Sequence, residues 1–382
     1  MRTVTGTPHN FPASTRGAIL GTVATTQKDE ESQSFLIETD SETLPYIVLS
    51  NGLNPTASSP VIHYTNHLEL TVGDILQVFP SGRAIIVYQS TSDDNALFFT
   101  NACNSRCLMC PQPPKSKPTC FVDYSSRIID LIKESPKVLG ITGGEPTIFW
   151  DDLINMIDRI RDRHPETFLH ILTNARLLND AKKAKQLVEA TGENAMFCVP
   201  LYSDDERTHN HLVGNESFWQ TMEGVYNLGN EMANIEIRNV ILKQNAERLN
   251  EYGEFIYRNI PFAKHIALMG MEPIGLAREN FNRLWIAPPS YMPSLQDTVL
   301  RLQMKGMYVS IYNHPHCVLP PKLWDFSAPS ISDWKIRYYE ACKNCAVADQ
   351  CGGVFFSARK AMTPYIKSVP EAKANGSVLV NC

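Results

Sequence analysis

The pattern of hydrophobic and polar positions changes along the chain at about residue 95. Before it, short apolar runs separated by turn residues predict strands over 34–38, 46–50, 74–79 and 83–89. Pro80-Ser81-Gly82 lies between the last two runs and predicts a hairpin. Residues 1–94 are therefore predicted to form a small β-rich N-terminal domain, either for docking a partner or as a cap.

From residue 95 short apolar runs alternate with amphipathic stretches, which is typical of βα units. The predicted strands are 96–100, 138–142, 168–173, 196–202, 235–242 and 265–269. The predicted helices between them are 125–134, 149–163, 180–189, 217–228 and 246–259. This pattern predicts an α/β fold, a partial (β/α)6 barrel over 95–290, with its active site at the carboxyl ends of the strands.

The alternation ends near residue 290, and residues 291–382 are predicted to be a cysteine-rich C-terminal extension. It begins with a predicted helix over 294–304 and a predicted strand over 307–312. We find no sign of an internal repeat that would relate it to the barrel.

Composition limits the partners and the compartment. The 382 residues carry a formal net charge of −5, which gives no reason to expect nucleic-acid or anionic-membrane binding. No apolar stretch reaches the roughly 20 residues of a membrane span, and the N-terminus lacks the apolar run of a signal peptide.

The expected location is the cytoplasm, where thiols stay reduced. Because seven of the 10 cysteines fall into two groups, we interpret them as metal ligands.

The first group is Cys103, Cys107 and Cys110, in a C-x3-C-x2-C loop directly after a predicted strand. Three thiolates can bind three irons of a 4Fe–4S cluster and leave the fourth iron for a small molecule. The alternative is a zinc knuckle, which needs a fourth ligand nearby. The loop contains no histidine, and the next cysteine is Cys120.

A glycine-rich turn follows the second predicted strand and consists of Gly143, Gly144, Glu145 and Pro146. Glycines let a backbone approach a ligand closely, and a carboxylate can hold an ammonium group. Taken alone, a glycine turn between a strand and a helix is common. Its position one βα unit after the cysteine loop makes it informative.

The cysteine spacing and the turn at 143–146 together resemble the radical S-adenosylmethionine (SAM) superfamily. The resemblance implies that a reduced cluster passes one electron to SAM, which breaks into methionine and a 5′-deoxyadenosyl radical. It also implies that Gly143, Gly144 and Glu145 contact the methionine moiety. Met109 departs from the pattern, because the superfamily commonly has an aromatic residue before the third cysteine.

Weaker matches follow the later strands. The resemblance makes four further residues candidate cofactor contacts, namely Asn174, Ser203, Arg238 and Glu272. For each of them a structural interpretation stays open, as a polar loop residue or as a charge satisfied at a strand end. No residue is assigned to act on the substrate.

The second cysteine group is Cys317, Cys342, Cys345 and Cys351. Four cysteines suit either a fully ligated 4Fe–4S cluster or tetrahedral zinc, and His314 and His316 keep zinc open. The extension resembles the auxiliary-cluster domains of peptide-modifying radical maturases, which implies one auxiliary 4Fe–4S cluster.

A narrower resemblance extends over 103–115, which is similar to a radical SAM maturase of the His-Xaa-Ser system. It implies a ribosomally made peptide substrate with His-Xaa-Ser repeats, a second radical SAM maturase as partner and an electron donor. Two alternatives stay open: a radical SAM enzyme acting on a nucleoside or cofactor precursor, and a zinc-bound, non-catalytic scaffold subunit.

Overall fold

The chain divides into two compact units. The first comprises residues 1–98, 121–140 and 155–168, and the second comprises 99–120, 141–154 and 169–382. The computed structural model describes residues 3–9, 11, 18–28, 33–41, 46–50, 60–64, 69–329 and 335–371. The boundaries that the sequence suggests at 94 and 290 stay a prediction.

The first unit contains an eight-stranded sheet in the order β1-β8-β7-β3-β4-β5-β6-β2. Its strands are β1 (Thr3–Thr5), β2 (Thr7–His9), β3 (Ile19–Lys28), β4 (Gln33–Thr39), β5 (Tyr46–Ser50), β6 (Val61–His63), β7 (Ile75–Val78) and β8 (Arg83–Tyr88). The predicted β-rich region and the hairpin, formed by the antiparallel strands β7 and β8, are confirmed. Period-two alternation places Phe35, Ile37, Ile47 and Leu49 on one fully buried face.

A seven-stranded sheet forms the partial barrel, and its strands lie side by side in chain order. They are β9 (Asn95–Thr100), β10 (Val138–Gly143), β11 (Phe168–Leu172), β12 (Ala195–Pro200), β13 (Asn234–Ile241), β14 (His265–Gly270) and β15 (Val309–Tyr312). The predicted fold class is confirmed. The sheet has one strand more than predicted, because β15 pairs in parallel with β14.

The helices are α1 (Val122–Leu131), α2 (Trp150–Arg163), α3 (Ala181–Thr191), α4 (Glu206–Val213), α5 (Phe218–Asn230), α6 (Leu249–Asn259), α7 (Leu276–Glu279), α8 (Phe281–Leu284), α9 (Pro288–Met304) and α10 (Arg359–Met362). Helix α9 begins six residues before its predicted start, with Pro288 in its first turn, where proline is tolerated, and Pro293 inside the helix. Within the described part of the chain, no helix is long and apolar enough to cross a membrane.

The short strands β16 (Ile336–Arg337) and β17 (Val354–Phe355) pair antiparallel in the C-terminal extension. Between them lie Cys342, Cys345 and Cys351. Cys382 lies outside the described residues.

Candidate functional site

Cys103, Cys107 and Cys110 lie on the loop that follows β9, at the carboxyl end of the barrel strands. Burial, with a smaller contribution from the neighbouring thiols, raises the pKa of Cys107 to about 12. Burial also raises the pKa of Cys103 to about 11. Three partly buried thiols beside one another have the chemistry of ligands for a cationic iron cluster, which holds thiols as thiolates.

In the described residues, no three His, Cys, Asp or Glu side chains converge on a position for a single metal ion. A 4Fe–4S cluster does not require that convergence, since each of its thiolates binds a different iron.

Side chains from beyond β11 and α4 hold the first half of the cysteine loop. Asn174 donates through Nδ2 to Oδ1 of Asn104 at 2.7 Å. The Asn104 carbonyl accepts from Nδ2 of Asn215 at 2.7 Å and also from the Arg176 guanidinium. These contacts fix the backbone next to Cys103. Asn104 and Arg176 were not predicted, because the residues that meet here are far apart in the sequence.

Backbone contacts hold the second half of the loop. The N–H groups of Arg106 and Leu108 donate to the carbonyls of Val213 and Leu212, each at 2.9 Å. The carbonyl of Cys110 accepts from the N–H of Leu276 at 2.9 Å. The end of α4 and the start of α7 therefore set the course of the loop.

The Gly-Gly-Glu turn packs directly against this loop. The N–H of Gly144 donates to the Thr100 carbonyl, and the N–H of Glu145 donates to the Ala102 carbonyl, both at 2.7 Å. A Cβ on Gly144 would lie 1.9 Å from the Ala102 oxygen, and one on Gly143 would lie 2.3 Å from the Thr100 oxygen. Gly143 therefore closely approaches the end of β9 and Gly144 the start of the cysteine loop, and the contact of both glycines with a cofactor stays a prediction.

Glu145 is buried, with 1% of its surface exposed. Its Oε1 accepts from Thr147 Oγ1 and Thr173 Oγ1 at 2.7 Å and from the Thr147 N–H at 3.2 Å. Its Oε2 accepts from the Asn174 N–H at 2.6 Å. Burial raises the pKa of Glu145, and the four donors oppose that rise. Oε2 accepts one of these bonds, so it has capacity for a second donor such as an ammonium group.

We predict that Glu145→Gln lowers the free energy of unfolding by about 2 kcal/mol. The new amide group would point its N–H at the N–H of Asn174 or at a threonine hydroxyl, so at least one buried donor would lose its acceptor. Urea unfolding measures the change. Glu193→Gln is the control, because Glu193 is exposed. Equal stabilities of the two variants would contradict the prediction.

The other predicted cofactor contacts lie at or near strand ends and have protein partners. Ser203 is buried beyond β12, where its Oγ accepts from the Asp205 N–H at 3.1 Å. Arg238 on β13 pairs with Glu236. Glu272, beyond β14, pairs with Lys335 at 3.0 Å. The structure joins Asn174 to the cysteine loop by a direct hydrogen bond. Cofactor contacts by all four residues stay a prediction.

A buried polar network crosses β13, β14 and β15. Glu236 accepts from the Arg238 guanidinium and lies 2.6 Å from Nδ1 of His265, whose Nε2 lies 2.9 Å from Ser310 Oγ. Glu236 and His265 are register partners in the sheet. The network was not predicted from the sequence, because His265 and Ser310 become neighbours of Glu236 only through the pairing of the three strands.

Met109 is buried in an apolar cluster beside the cysteines. The buried members are Met109, Leu212, Leu242, Met271, Ala277 and Leu284, and Cys107 and Tyr202 pack against them. The methionine that departs from the superfamily pattern thus packs inside the protein.

The four cysteines of the second group line one small cavity. Cys342 and Cys345 accept through Sγ from the N–H groups of Tyr339 and Val369, each at 3.4 Å. Cys351 accepts from the N–H of His316 at 3.3 Å and from that of Gly353 at 3.4 Å.

Three of the four sulfurs, those of Cys342, Cys345 and Cys351, therefore accept a hydrogen bond from a backbone N–H. Such donors stabilise thiolates, so this donor set fits a metal cluster.

The Radical SAM superfamily model matches residues 97–256. A curated protein of Methanocaldococcus jannaschii, whose name places it among the activating enzymes of glycyl-radical enzymes, is 28% identical over 130 residues, which is 32% of each chain. The chain thus spans about a third of the length of this curated relative.

Two solved structures are similar to parts of the chain. Streptococcus suis SuiB bound to its precursor peptide SuiA has a TM-score of 0.46 at 14% identity, over 56% of this chain and 48% of SuiB. The protein anSMEcpe with bound AdoMet has a TM-score of 0.44 at 17% identity, over 56% of this chain and 62% of anSMEcpe.

The three-cysteine loop and the turn that supports it both lie inside the segment that the superfamily model matches. That superfamily implies a 4Fe–4S cluster and SAM as cofactors. Residues 97–256 are a domain of the radical SAM superfamily.

Proposed function

We propose that this protein is a radical SAM enzyme that cleaves SAM reductively at a cluster held by Cys103, Cys107 and Cys110. The observation that supports this most is the three-cysteine loop itself, at the carboxyl end of β9 inside the matched domain. The chemistry that cluster and SAM supply together is one-electron cleavage of the sulfonium, which generates a 5′-deoxyadenosyl radical.

The chain's own residues contribute position and shielding. The N–H groups of Gly144 and Glu145 donate to the end of β9 and to the start of the cysteine loop, and Gly143 packs against the end of β9. Asn174 and Arg176 hold Asn104, the residue after Cys103. The apolar cluster around Met109 excludes water from one side of Cys107. In this proposal Gly143, Gly144, Glu145, Asn174, Ser203, Arg238 and Glu272 contact the cofactor.

The substrate in our proposal is a ribosomally made peptide with His-Xaa-Ser repeats, modified in the cytoplasm with a second radical maturase and an electron donor. Support comes from the sequence resemblance over 103–115. A second candidate substrate is a glycine residue of a partner enzyme. The similarity to the M. jannaschii protein, named as an activating enzyme of a glycyl-radical enzyme, favours it. A stable mass change in the peptide indicates the first, and a glycyl-radical signal on a protein partner indicates the second.

The C-terminal cysteines are proposed to hold an auxiliary 4Fe–4S cluster. Support comes from their shared cavity and from the backbone N–H groups that donate to the sulfurs of Cys342, Cys345 and Cys351. Structural zinc is the competing occupant, and metal analysis of the protein with the first cysteine group removed distinguishes the two.

The test of the proposed activity is anaerobic. The protein is reconstituted with iron and sulfide, reduced and mixed with SAM, and 5′-deoxyadenosine is quantified. We expect product from the native chain and none from a variant with Cys103, Cys107 and Cys110 all changed to Ala. The matched control changes Cys342 and Cys345 to Ala, which leaves the first cysteine group intact.

Well-loaded native protein that gives no product, even with the peptide and partner present, would refute the proposal.

A further inference from the structure

His316 is a buried histidine without a hydrogen-bond partner for its ring. Its exposed surface is 3%, and neither Nδ1 nor Nε2 has a partner among the described residues. The ring stacks on the Trp324 indole, with centroids 5.3 Å apart and planes 10° apart. Leaving a buried polar atom unpaired costs about 1–3 kcal/mol, so such an imidazole calls for an explanation.

The neighbouring buried histidine shows the contrast. His314 has both ring nitrogens bonded, with Nδ1 2.8 Å from the Tyr312 carbonyl and Nε2 2.6 Å from the Tyr291 hydroxyl. His314 is therefore accounted for by the fold alone, whereas His316 is not.

The place of His316 suggests its partner. It lines the same small cavity as Cys317, Cys342, Cys345 and Cys351, and its own N–H donates to Cys351 Sγ. The stack on Trp324 restricts rotation of the ring. A metal group bound by the four cysteines would fill this cavity and would therefore lie beside His316.

We propose that His316 donates a ring N–H to a sulfur of the metal group that the four cysteines hold, and so raises the reduction potential of that group. This rests on the proposed auxiliary 4Fe–4S cluster. Four cysteines complete the ligation of such a cluster, so the histidine acts on sulfur and not on iron. Hydrogen bonds to sulfur stabilise the more negative, reduced state, which makes His316 a positioning residue that sets the potential.

The test uses the full chain with Cys103, Cys107 and Cys110 changed to Ala, so that one cluster is observed. His316→Phe keeps a ring for the stack on Trp324 and removes the N–H. We expect unchanged iron and sulfide content and a midpoint potential shifted to more negative values in an EPR-monitored redox titration. His316→Gln restores an N–H donor and is expected to return the potential towards that of the parent.

His314→Gln is the control, with no shift expected because its ring already has protein partners. A fully loaded His316→Phe variant with the parent's potential would overturn the role of His316. Loss of iron from that variant would also overturn it, because it would indicate a ligand. Zinc and no cluster in the parent would instead refute the auxiliary cluster.

Discussion

Replacing Gly144 by alanine is expected to reduce 5′-deoxyadenosine formation about 100-fold or more, since misplacement of a reacting group by about 1 Å has that cost. The added Cβ would lie 1.9 Å from the Ala102 carbonyl oxygen and 3.1 Å from Cβ of Cys103. Both neighbours belong to the cysteine loop, so the loop must move and carry Cys103 with it. Product quantification and iron analysis on reconstituted protein measure the effect.

Gly306→Ala is the matched control for this variant. Gly306 has a φ of +78° and nothing within 4 Å of an added Cβ, so alanine there is strained in the backbone without a clash. We expect a stability loss of about 1 kcal/mol and normal product formation. If Gly144→Ala kept full iron and full product, the contact between the turn and the loop would not position Cys103.

The second large effect is expected at Glu236, where Glu236→Gln should lower the free energy of unfolding by about 3 kcal/mol near neutral pH. The change removes a negative charge that faces both the Arg238 guanidinium and the His265 ring in a buried network. Arg238 would then keep a buried positive charge without its carboxylate partner. Urea unfolding measures the difference from the native chain.

The same carboxylate gives this effect a pH dependence. Burial alone would raise the pKa of Glu236, but the hydrogen bond from His265 and the charge of Arg238 outweigh burial and lower it to about 2. A lowered pKa contributes stability above the unfolded value, about 4.5, and this contribution is lost as the pH falls from there towards 2. The difference in unfolding free energy between the native chain and Glu236→Gln should therefore stay constant from about pH 7 to about pH 5 and narrow as the pH falls from about 4.5 towards 2.

Glu254→Gln serves as the control for the acid series. Its carboxylate pairs with Arg258 at the surface, 2.6 Å away and one helical turn along. Because solvent screens that pair, we expect Glu254→Gln to lower the free energy of unfolding far less than Glu236→Gln does. If the difference in unfolding free energy between the native chain and Glu236→Gln stayed constant across the pH series, the charge of Glu236 would not be the source of the stabilisation.

The sequence predicts structural elements correctly where the residue pattern is local. The predicted strand over 46–50 corresponds residue for residue to β5, and the apolar run over 96–100 correctly predicts a strand directly before the loop with Cys103, Cys107 and Cys110. Helix α4 was missed, since its eight residues are mostly polar and its cap is the single residue Asp205.

The contacts between strands that hold the candidate site in place were harder to predict from the sequence. The bonds of Glu145 to Thr173 and Asn174 depend on the ends of β10 and β11 lying side by side. The pair of Glu236 and His265 depends on the register of β13 with β14. Each strand shows which of its faces is apolar, but not which polar residue of another strand lies opposite, so these partners were visible only in the folded chain.

The bonds that fix the cysteine loop have a consequence for biosynthesis. One of them joins the Leu108 carbonyl to Asn280, a residue 172 positions later in the chain, and another comes from Leu276. A ribosome therefore releases the three cysteines long before the residues that pin them, and contacts of such long sequence separation form late. Iron loading should accordingly follow completion of the barrel, and a nascent chain that stalls before residue 276 should carry its thiols exposed to oxidation and to adventitious metals.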